Sequence, residues 1–267
     1  MSLASVRSQH GATTPATTVA YDRCGTGPPL VLLHALGTDR RVWDPVLEYL
    51  TGARTVFAVD LPGFGSSPPL SETPTPAALA QALARFFSAV DLDRPHLAGN
   101  SLGGWVALEL ALAGRSRSVS AIAPAGLWGG PLAPKPNIAR TLAAAARPVL
   151  PLLAASAAGR RALLGGVMLH PELVPAAAAA HLVAAYATAP AFAAANQAMR
   201  AGHFEGLDRI EVPVTLGWPD HDRLVTPPAR LPAHVRSRIL SGCGHLPMWD
   251  APEEVATFLL DGSAQIA

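Results

Sequence analysis

Cysteine is nearly absent. Cys24 and Cys243 are the only two in 267 residues, too few for a disulfide framework, so a reducing compartment such as the cytoplasm is the expected setting. Charge is scarce and balanced: 15% of residues are charged, with 20 Lys+Arg against 19 Asp+Glu. That leaves no basic footprint for nucleic acid and no acidic tail. Long apolar runs are missing too. The most apolar stretch, PVLPLLAASAAG (148–159), is too short to span a bilayer, contains two prolines and is flanked by Arg147, Arg160 and Arg161, so no membrane partner is expected. The N-terminal MSLASVRSQHGATTPATT lacks a signal peptide's apolar centre and reads as a flexible leader over residues 1–18, or else as a weak first strand. No His/Cys cluster has metal-ligand spacing, and no G-x-G-x-x-G occupies a first βα turn. Neither metal nor cofactor is expected.

Half of the chain is hydrophobic, enough to bury the core of one large α/β domain. Short apolar runs recur, each followed by turn residues: LVLLHA (30–35), TVFAVDLPG (55–63), RPHLAGN (94–100), SVSAIAPAG (118–126), VPVTLGWPD (212–220) and RSRILSGCG (236–244). Such runs fit buried strands of a mostly parallel sheet. Helical patterns lie between several of them, at 42–50, 76–90, 104–113 and 252–260. Thr75-Pro76 reads as an N-cap with proline at the first helical position, and Pro252 with Glu253 and Glu254 as another helix start. Strand–helix alternation of this kind predicts a doubly wound α/β fold. It breaks between residues 131 and 208, where the chain becomes Ala-rich and helical, cut by Pro148, Pro151, Pro171, Pro175 and Pro190. An excursion this long exceeds a single crossover helix. The expected organisation is a core of 19–130 and 209–267 with a helical cap inserted at 131–208.

One junction stands out. Gly99-Asn100-Ser101-Leu102-Gly103 joins a strand pattern to a helix pattern and fits G-x-S-x-G, the nucleophile elbow. Small flanking residues allow the sharp turn, and the serine oxygen then projects at a helix N-terminus, where the next N–H, of Leu102, faces a developing oxyanion. The pattern is loose enough to arise by chance in about one chain in ten, so its strand–turn–helix setting matters. Serine needs a base, and the base needs an orienting carboxylate. In this architecture they follow in the order Ser, acid, His at later strand ends. The run at 212–217 ends in WPDHDRLVTPP, which supplies Asp220 and Asp222; the run at 236–240 ends in SGCGHLP, which supplies His245.

Together these stretches resemble the α/β-hydrolase superfamily from about Val19 to Leu260. LVLLHALG is similar to the family's first strand and oxyanion loop, VDLPGFGSSP to its next strand and turn, and GNSLGG to its elbow. DRLVTPP resembles its acid loop, and GCGHLPMWDAPEEV its histidine loop and final helix. The resemblance implies an α/β-hydrolase fold with Ser101 as nucleophile, His245 as general base and acid, and Asp222 as the orienting carboxylate, Asp220 being the other candidate. It implies an oxyanion hole from the N–H groups of Leu102 and Leu36. The family usually has His-Gly where this chain has His34-Ala35, which matters if position 35 needs a positive φ.

The implied activity is a cofactor-independent serine hydrolase acting on a small-molecule carboxylic ester or related acyl compound. One alternative keeps the triad for C–C bond hydrolysis of vinylogous diketones, or for haloperoxidase-type or lyase chemistry; an arginine or asparagine holding a substrate carboxylate would favour C–C cleavage. A second alternative is a non-catalytic small-molecule receptor on the same fold. Epoxide hydrolases and dehalogenases need a carboxylate where Ser101 stands. Trp105, Trp128 and Met168 are candidate pocket residues whose other reading is core packing. Asn100 either touches substrate or satisfies the turn, and His34 is read as shaping the oxyanion loop although it too borders the pocket. Asp60 is read as a carboxylate bonding loop amides, Cys243 as a packed thiol and His221 as a solvated loop residue.

Overall fold

The computed structural model describes residues 9–11, 19–133 and 138–264. Eight strands form one sheet: β1 (Gln9–Gly11), β2 (Tyr21–Cys24), β3 (Pro29–Leu33), β4 (Thr55–Val59), β5 (His96–Asn100), β6 (Ser118–Ile122), β7 (Val214–Pro219) and β8 (Arg236–Leu240). Their spatial order is β1-β2-β4-β3-β5-β6-β7-β8, with the β1–β2 and β2–β4 pairs antiparallel and the other five pairs parallel. All six apolar runs singled out in the sequence form strands. β5 and β6 are buried at every position, which is why they read as continuous apolar runs rather than as alternation. The sequence reading missed β2, whose YDRC carries two charges and alternates in burial near the sheet edge. Within 1–18, Gln9–Gly11 forms a strand paired with Tyr21–Arg23, the weak first strand that is the other reading of this stretch; the rest lies outside the described residues.

Helices cover both faces. α1 (Asp44–Leu50) and the C-terminal α10 (Pro252–Ser263) lie on one, α2 (Pro76–Ala89) and α3 (Leu102–Leu112) on the other. Within β3, Leu30 and Leu32 join the cluster under α1 and α10, whereas Val31 and Leu33 join the one under α2 and α3. The period of two thus divides a single strand between two cores. Thr75 caps α2 by accepting from the Ala78 N–H at 3.1 Å.

Between β6 and β7 the chain leaves the sheet for five helices: α4 (Ile138–Ala146), α5 (Leu150–Ala155), α6 (Ala157–Leu164), α7 (Ala176–Thr188) and α8 (Phe192–Ala201). Proline punctuates them. Pro148 lies in the 3-10 turn between α4 and α5, Pro151 in the first turn of α5, and Pro175 caps α7. The two ends of the excursion are tied together: Leu132 N–H donates to Arg200 O at 2.7 Å, and Phe204 N–H to Gly126 O at 2.8 Å. The apolar stretch bounded in sequence at 148–159 is also corrected. α4, the 3-10 turn and α5 make one helical run, Ile138–Ala155, long and apolar enough to cross a membrane by length and composition, yet only 11% buried.

A short α9 (Pro247–Asp250) precedes α10. Close approach of α3 to the sheet sets a stringent requirement at Gly103, where an added Cβ would lie 2.2 Å from the Leu33 carbonyl oxygen. Alanine gains up to about 1 kcal/mol in helix propensity over glycine, but overpacking of this kind costs about 1–3 kcal/mol. Gly103→Ala is therefore expected to destabilise the protein in urea unfolding followed by circular dichroism. Gly166→Ala, with nothing within 4 Å of its Cβ, should stay within about 0.5 kcal/mol. Equal stability of the two variants would refute the close-approach account.

Candidate active site

Ser101 sits where β5 gives way to α3, with φ 54° and ψ −115°. A non-glycine residue in this region costs on the order of 1–3 kcal/mol and persists only when its surroundings enforce it. Here they do: Ser101 N–H donates to Ile122 O at 2.9 Å, and its carbonyl accepts from Trp105 N–H at 3.1 Å and Ala125 N–H at 3.0 Å. A Cβ at position 99 would meet the Gly103 carbonyl at 2.2 Å, so the elbow closes only around glycine. The hydroxyl of Ser101 has no hydrogen-bond partner among the described residues. Leu102 opens α3, so its N–H has no intrahelical acceptor.

The loop after β3 supplies a second unengaged amide. The Ala35 carbonyl accepts from Thr38 N–H at 3.2 Å and Thr38 Oγ1 at 2.9 Å, and His34 Nδ1 lies 2.9 Å from it. The peptide plane joining Ala35 to Leu36 is thereby pinned, and in a trans peptide the Leu36 N–H points opposite to that carbonyl. Leu36 N–H makes no hydrogen bond among the described residues. Ala35 is not at positive φ; the left-handed residue of this loop is Gly37, at φ 79°. The departure from His-Gly is accommodated because the loop turns two residues later.

His34 is fully buried. Its Nε2 accepts from Leu61 N–H at 2.9 Å while Nδ1 donates to Ala35 O, which requires the neutral ring. Burial holds its pKa below the ordinary histidine value in spite of nearby Asp60. The expectation that His34 borders the pocket is corrected to a tie between two loops. Asn100 takes the second of its two readings, satisfying the turn. It is fully buried, and its amide nitrogen donates to Ile122 O at 3.2 Å and to His245 O at 3.1 Å.

That second bond brings the histidine loop beside the elbow, because Asn100 immediately precedes Ser101. His245 Nδ1 lies 2.7 Å from Asp222 Oδ2, with both side chains buried. The other oxygen, Asp222 Oδ1, accepts from Leu224 N–H at 2.7 Å and Val225 N–H at 3.1 Å. Burial pushes the Asp222 carboxyl up, but the hydrogen bond and charge of His245, with the two amides, outweigh it and hold the carboxyl below its usual range. The structure brings His245 onto Asp222, while Asp220 accepts from Gly242 N–H and Cys243 N–H at 3.0 and 3.1 Å and shapes the loop. Cys243 donates its thiol proton to Leu240 O, and burial, with Asp220 the nearest charge, pushes it up to about 12. Such a thiol is no nucleophile.

Trp105 and Trp128 meet edge to face with centroids 5.9 Å apart. Trp105 donates to Glu109 Oε1 and Trp128 to Gly202 O, both at 2.8 Å. Trp105 is buried and Trp128 half-buried at the neck of the helical excursion, and these contacts agree with the core-packing reading of both. Met168 is buried with its backbone against Gly244, one residue before His245. Among the described residues no three His, Cys, Asp or Glu side chains converge as a metal site.

Sequence reasoning missed Asp250 and Asp39. Asp250 accepts from Gly244 N–H at 2.8 Å, Leu169 N–H at 2.9 Å and His170 N–H at 2.7 Å, fastening the excursion to the histidine loop. Asp39 caps the turn Arg40–Trp43 and pairs with His181 of α7 at 2.6 Å. Asp39 sits in no motif, Asp250 lies unremarked within GCGHLPMWDAPEEV, and their partners His181, Leu169 and His170 are remote in sequence. Asp60, read from sequence as an acceptor for loop amides, takes hydrogen bonds from Arg40 N–H and Ser66 N–H at 2.8 Å and from the Arg40 guanidinium.

The Alpha/beta hydrolase family model matches residues 30–258. The epoxide hydrolase EphH of Mycobacterium tuberculosis is 33% identical over 202 residues, covering 68% of this chain and 92% of EphH. A pimeloyl-[acyl-carrier protein] methyl ester esterase of Aeromonas hydrophila is 41% identical over 104 residues, covering 39% of this chain and 40% of that protein. Several curated relatives, this esterase among them, are matched over only 30–40% of their own length. Among solved structures, a bacterial membrane phospholipase A superposes with a TM-score of 0.72 at 30% identity, covering 93% of this chain and 84% of that one.

Asp39 carries a consequence for acid stability. Burial raises its carboxyl, but the hydrogen bond and charge of His181 outweigh this and hold it below its usual range. A carboxyl depressed on folding contributes stability that is complete above the unfolded value of about 3.9 and is lost as pH falls through the lower folded value. Asp39→Asn is expected to be less stable than wild type at pH 7 and to lose less on acidification. Urea unfolding from pH 6 to pH 3 checks this; parallel pH profiles for the two proteins would contradict it.

Proposed function

The chain belongs to the alpha/beta hydrolase family, and from that premise we propose that it is a cofactor-independent serine hydrolase cleaving a carboxylic ester or related acyl bond of a small molecule. The observation that carries this reading is the 2.7 Å pairing of His245 Nδ1 with Asp222, in a loop tied by Asn100 to the residue before Ser101. A carboxylate on Nδ1 keeps the proton there and leaves the Nε2 lone pair for the serine hydroxyl.

In the proposed reaction Ser101 Oγ attacks the acyl carbon while His245 Nε2 takes its proton. The tetrahedral oxyanion accepts hydrogen bonds from Leu102 N–H and Leu36 N–H, which reach it without rearrangement because both amides are unengaged beforehand. The C–O bond to the leaving alcohol breaks as His245 returns the proton to it. A water then gives its proton to His245 and attacks the acyl-enzyme, releasing the acid and regenerating Ser101. Asp222 orients the ring and stabilises its protonated form.

The relatives bear on the bond. The Aeromonas protein is named for an ester, as this reading requires. EphH is named for epoxides, but opening an epoxide through a covalent enzyme ester calls for a carboxylate nucleophile, and the residue here is Ser101. C–C cleavage of a substrate bearing a carboxylate would draw on a free asparagine or arginine, and the Asn100 amide is already committed to two backbone carbonyls.

Purified protein should hydrolyse short-chain nitrophenyl esters and react covalently with a fluorophosphonate probe, and Ser101→Ala should abolish both. Asp222→Asn should lower kcat about 10⁴-fold, whereas Asp220→Asn should cost about tenfold at most. A wild type that neither labels nor turns over any acyl substrate would end the serine hydrolase reading.

A further inference from the structure

Six of the ten exposed large hydrophobic side chains in the described chain fall between residues 132 and 153: Leu132, Ile138, Leu142, Val149, Leu152 and Leu153. Single exposed leucines are ordinary on a protein surface, but a contiguous patch is not. Ile138, Leu142, Ala145, Val149 and Leu152 follow one another at steps of four, three, four and three, the spacing of one helical face. That face continues across the 3-10 turn, because the run Ile138–Ala155 is nearly unbroken. Exposure is high: 64% at Ile138, 65% at Leu142, 47% at Val149 and 76% at Leu152. The opposite face, with Ala143 and Ala146, packs on the folded cap. No residue of α4 is fully buried.

The sequence of the cap is strongly basic. Residues 131–204 contain one carboxylate, Glu172, against Lys135, Arg140, Arg147, Arg160, Arg161 and Arg200. Glu172 is taken up by Arg161 at 3.3 Å and lies 3.7 Å from His170. Arg140 turns inward to the carbonyls of Tyr186 and Ala189, and Arg160 to those of Ala154 and Glu172. Arg147, in the middle of the helical run, is exposed and makes no ion pair or hydrogen bond among the described residues.

Spanning a membrane does not fit. The run is long enough, but its inner face is occupied by protein: Leu150 and Ala154 are buried, and Ala143 and Ala146 pack on the rest of the cap. Pairing with a second copy of the chain would set the same basic surface against itself across a two-fold axis, bringing like charges together. An apolar stripe flanked by cations, on a helix lying along the surface, is the pattern of an interfacial anchor for anionic lipid.

We propose that this face of the cap seats in the surface of an anionic lipid bilayer. Ile138, Leu142, Val149 and Leu152 enter the boundary between headgroups and acyl chains, and Arg147 meets lipid phosphates. The opposite side of the cap rests on the loops beside Ser101: Ala191 N–H donates to Gly63 O at 3.1 Å, and Leu246 N–H to Val167 O at 2.9 Å. Docking therefore brings the cover of the site to the lipid. Lipid binding does not depend on the proposed hydrolysis and is read without it.

The test is co-sedimentation of the full chain with sucrose-loaded vesicles of phosphatidylcholine alone, or with about a third phosphatidylglycerol. Wild type is expected to partition onto the anionic vesicles and to be released by about 0.5 M NaCl in part. Leu142→Glu/Leu152→Glu should weaken binding roughly tenfold or more, with unchanged circular dichroism and unchanged hydrolysis of a soluble ester. Arg147→Glu, a single surface charge reversal, should weaken binding to anionic vesicles and leave the weak binding to neutral ones unaltered. The proposal is overturned if wild type ignores anionic vesicles, or if both variants bind as wild type does. It is equally overturned if the double variant converts a solution dimer to monomer while vesicle binding is unchanged, since the face would then belong to a second copy of the chain.

Discussion

Everything around Ser101 depends on how near α3 comes to the ends of β3 and β5. With hydrogen atoms alone at positions 99 and 103, the helix begins directly against the sheet, and the turn between them forces Ser101 to φ 54°. A bulkier pair would push the helix away and relax the turn, and the Ser101 hydroxyl and Leu102 amide would no longer share one edge. The strain is localised in one residue and opposed by three backbone hydrogen bonds.

Loops at the ends of parallel strands have no ladder to satisfy their amides, and this protein satisfies them with carboxylates. Asp60 holds the amides of Arg40 and Ser66, Asp220 those of Gly242 and Cys243, and Asp250 those of Leu169, His170 and Gly244. Asp222 does the same with one oxygen but turns the other to His245. The group at the centre of the proposed chemistry is thus one member of a common structural device. Like Asp39, which turns its second oxygen to His181, it has a titratable ring rather than an amide as its second partner.

The helical excursion is fastened at both ends and along its underside, which explains how so much of its outer surface can remain apolar without unfolding it. Asp39 with His181 fixes one side and Asp250 the other. The excursion is held by the packing of α5, α6 and α7 on one another and by its ties to the loops, not by burying α4, so the outer stripe is free to serve a partner. Its arginines are distributed between inward hydrogen bonds and open surface, and this division separates Arg140 and Arg160 from Arg147.

Strands buried on both faces are legible because every position must be apolar, and the elbow is legible because a sharp turn leaves a glycine signature. β2 was not legible: near the edge of the sheet it needs little apolar content, and Tyr21–Cys24 has little. The order Ser101, Asp222, His245 could be read from motifs that are each local. The alternatives at Asp220 and Asp222 differ by two residues in one loop, and which of them meets His245 follows from how β7 and β8 are placed side by side.

By itself, then, the sequence determined the alternation of strands and helices, the sharp turn at Ser101 and the placing of a carboxylate and a histidine at later strand ends, because those depend on local periodicity and turn chemistry. Tertiary structure alone decided that Asn100 and His34 tie loops together instead of facing a pocket, that Trp105 and Trp128 pack on each other, and that Ile138–Ala155 turns its apolar stripe outward. Each of these depends on which groups approach across dozens of residues. No local pattern encodes the direction in which a buried amide, an imidazole or a leucine points.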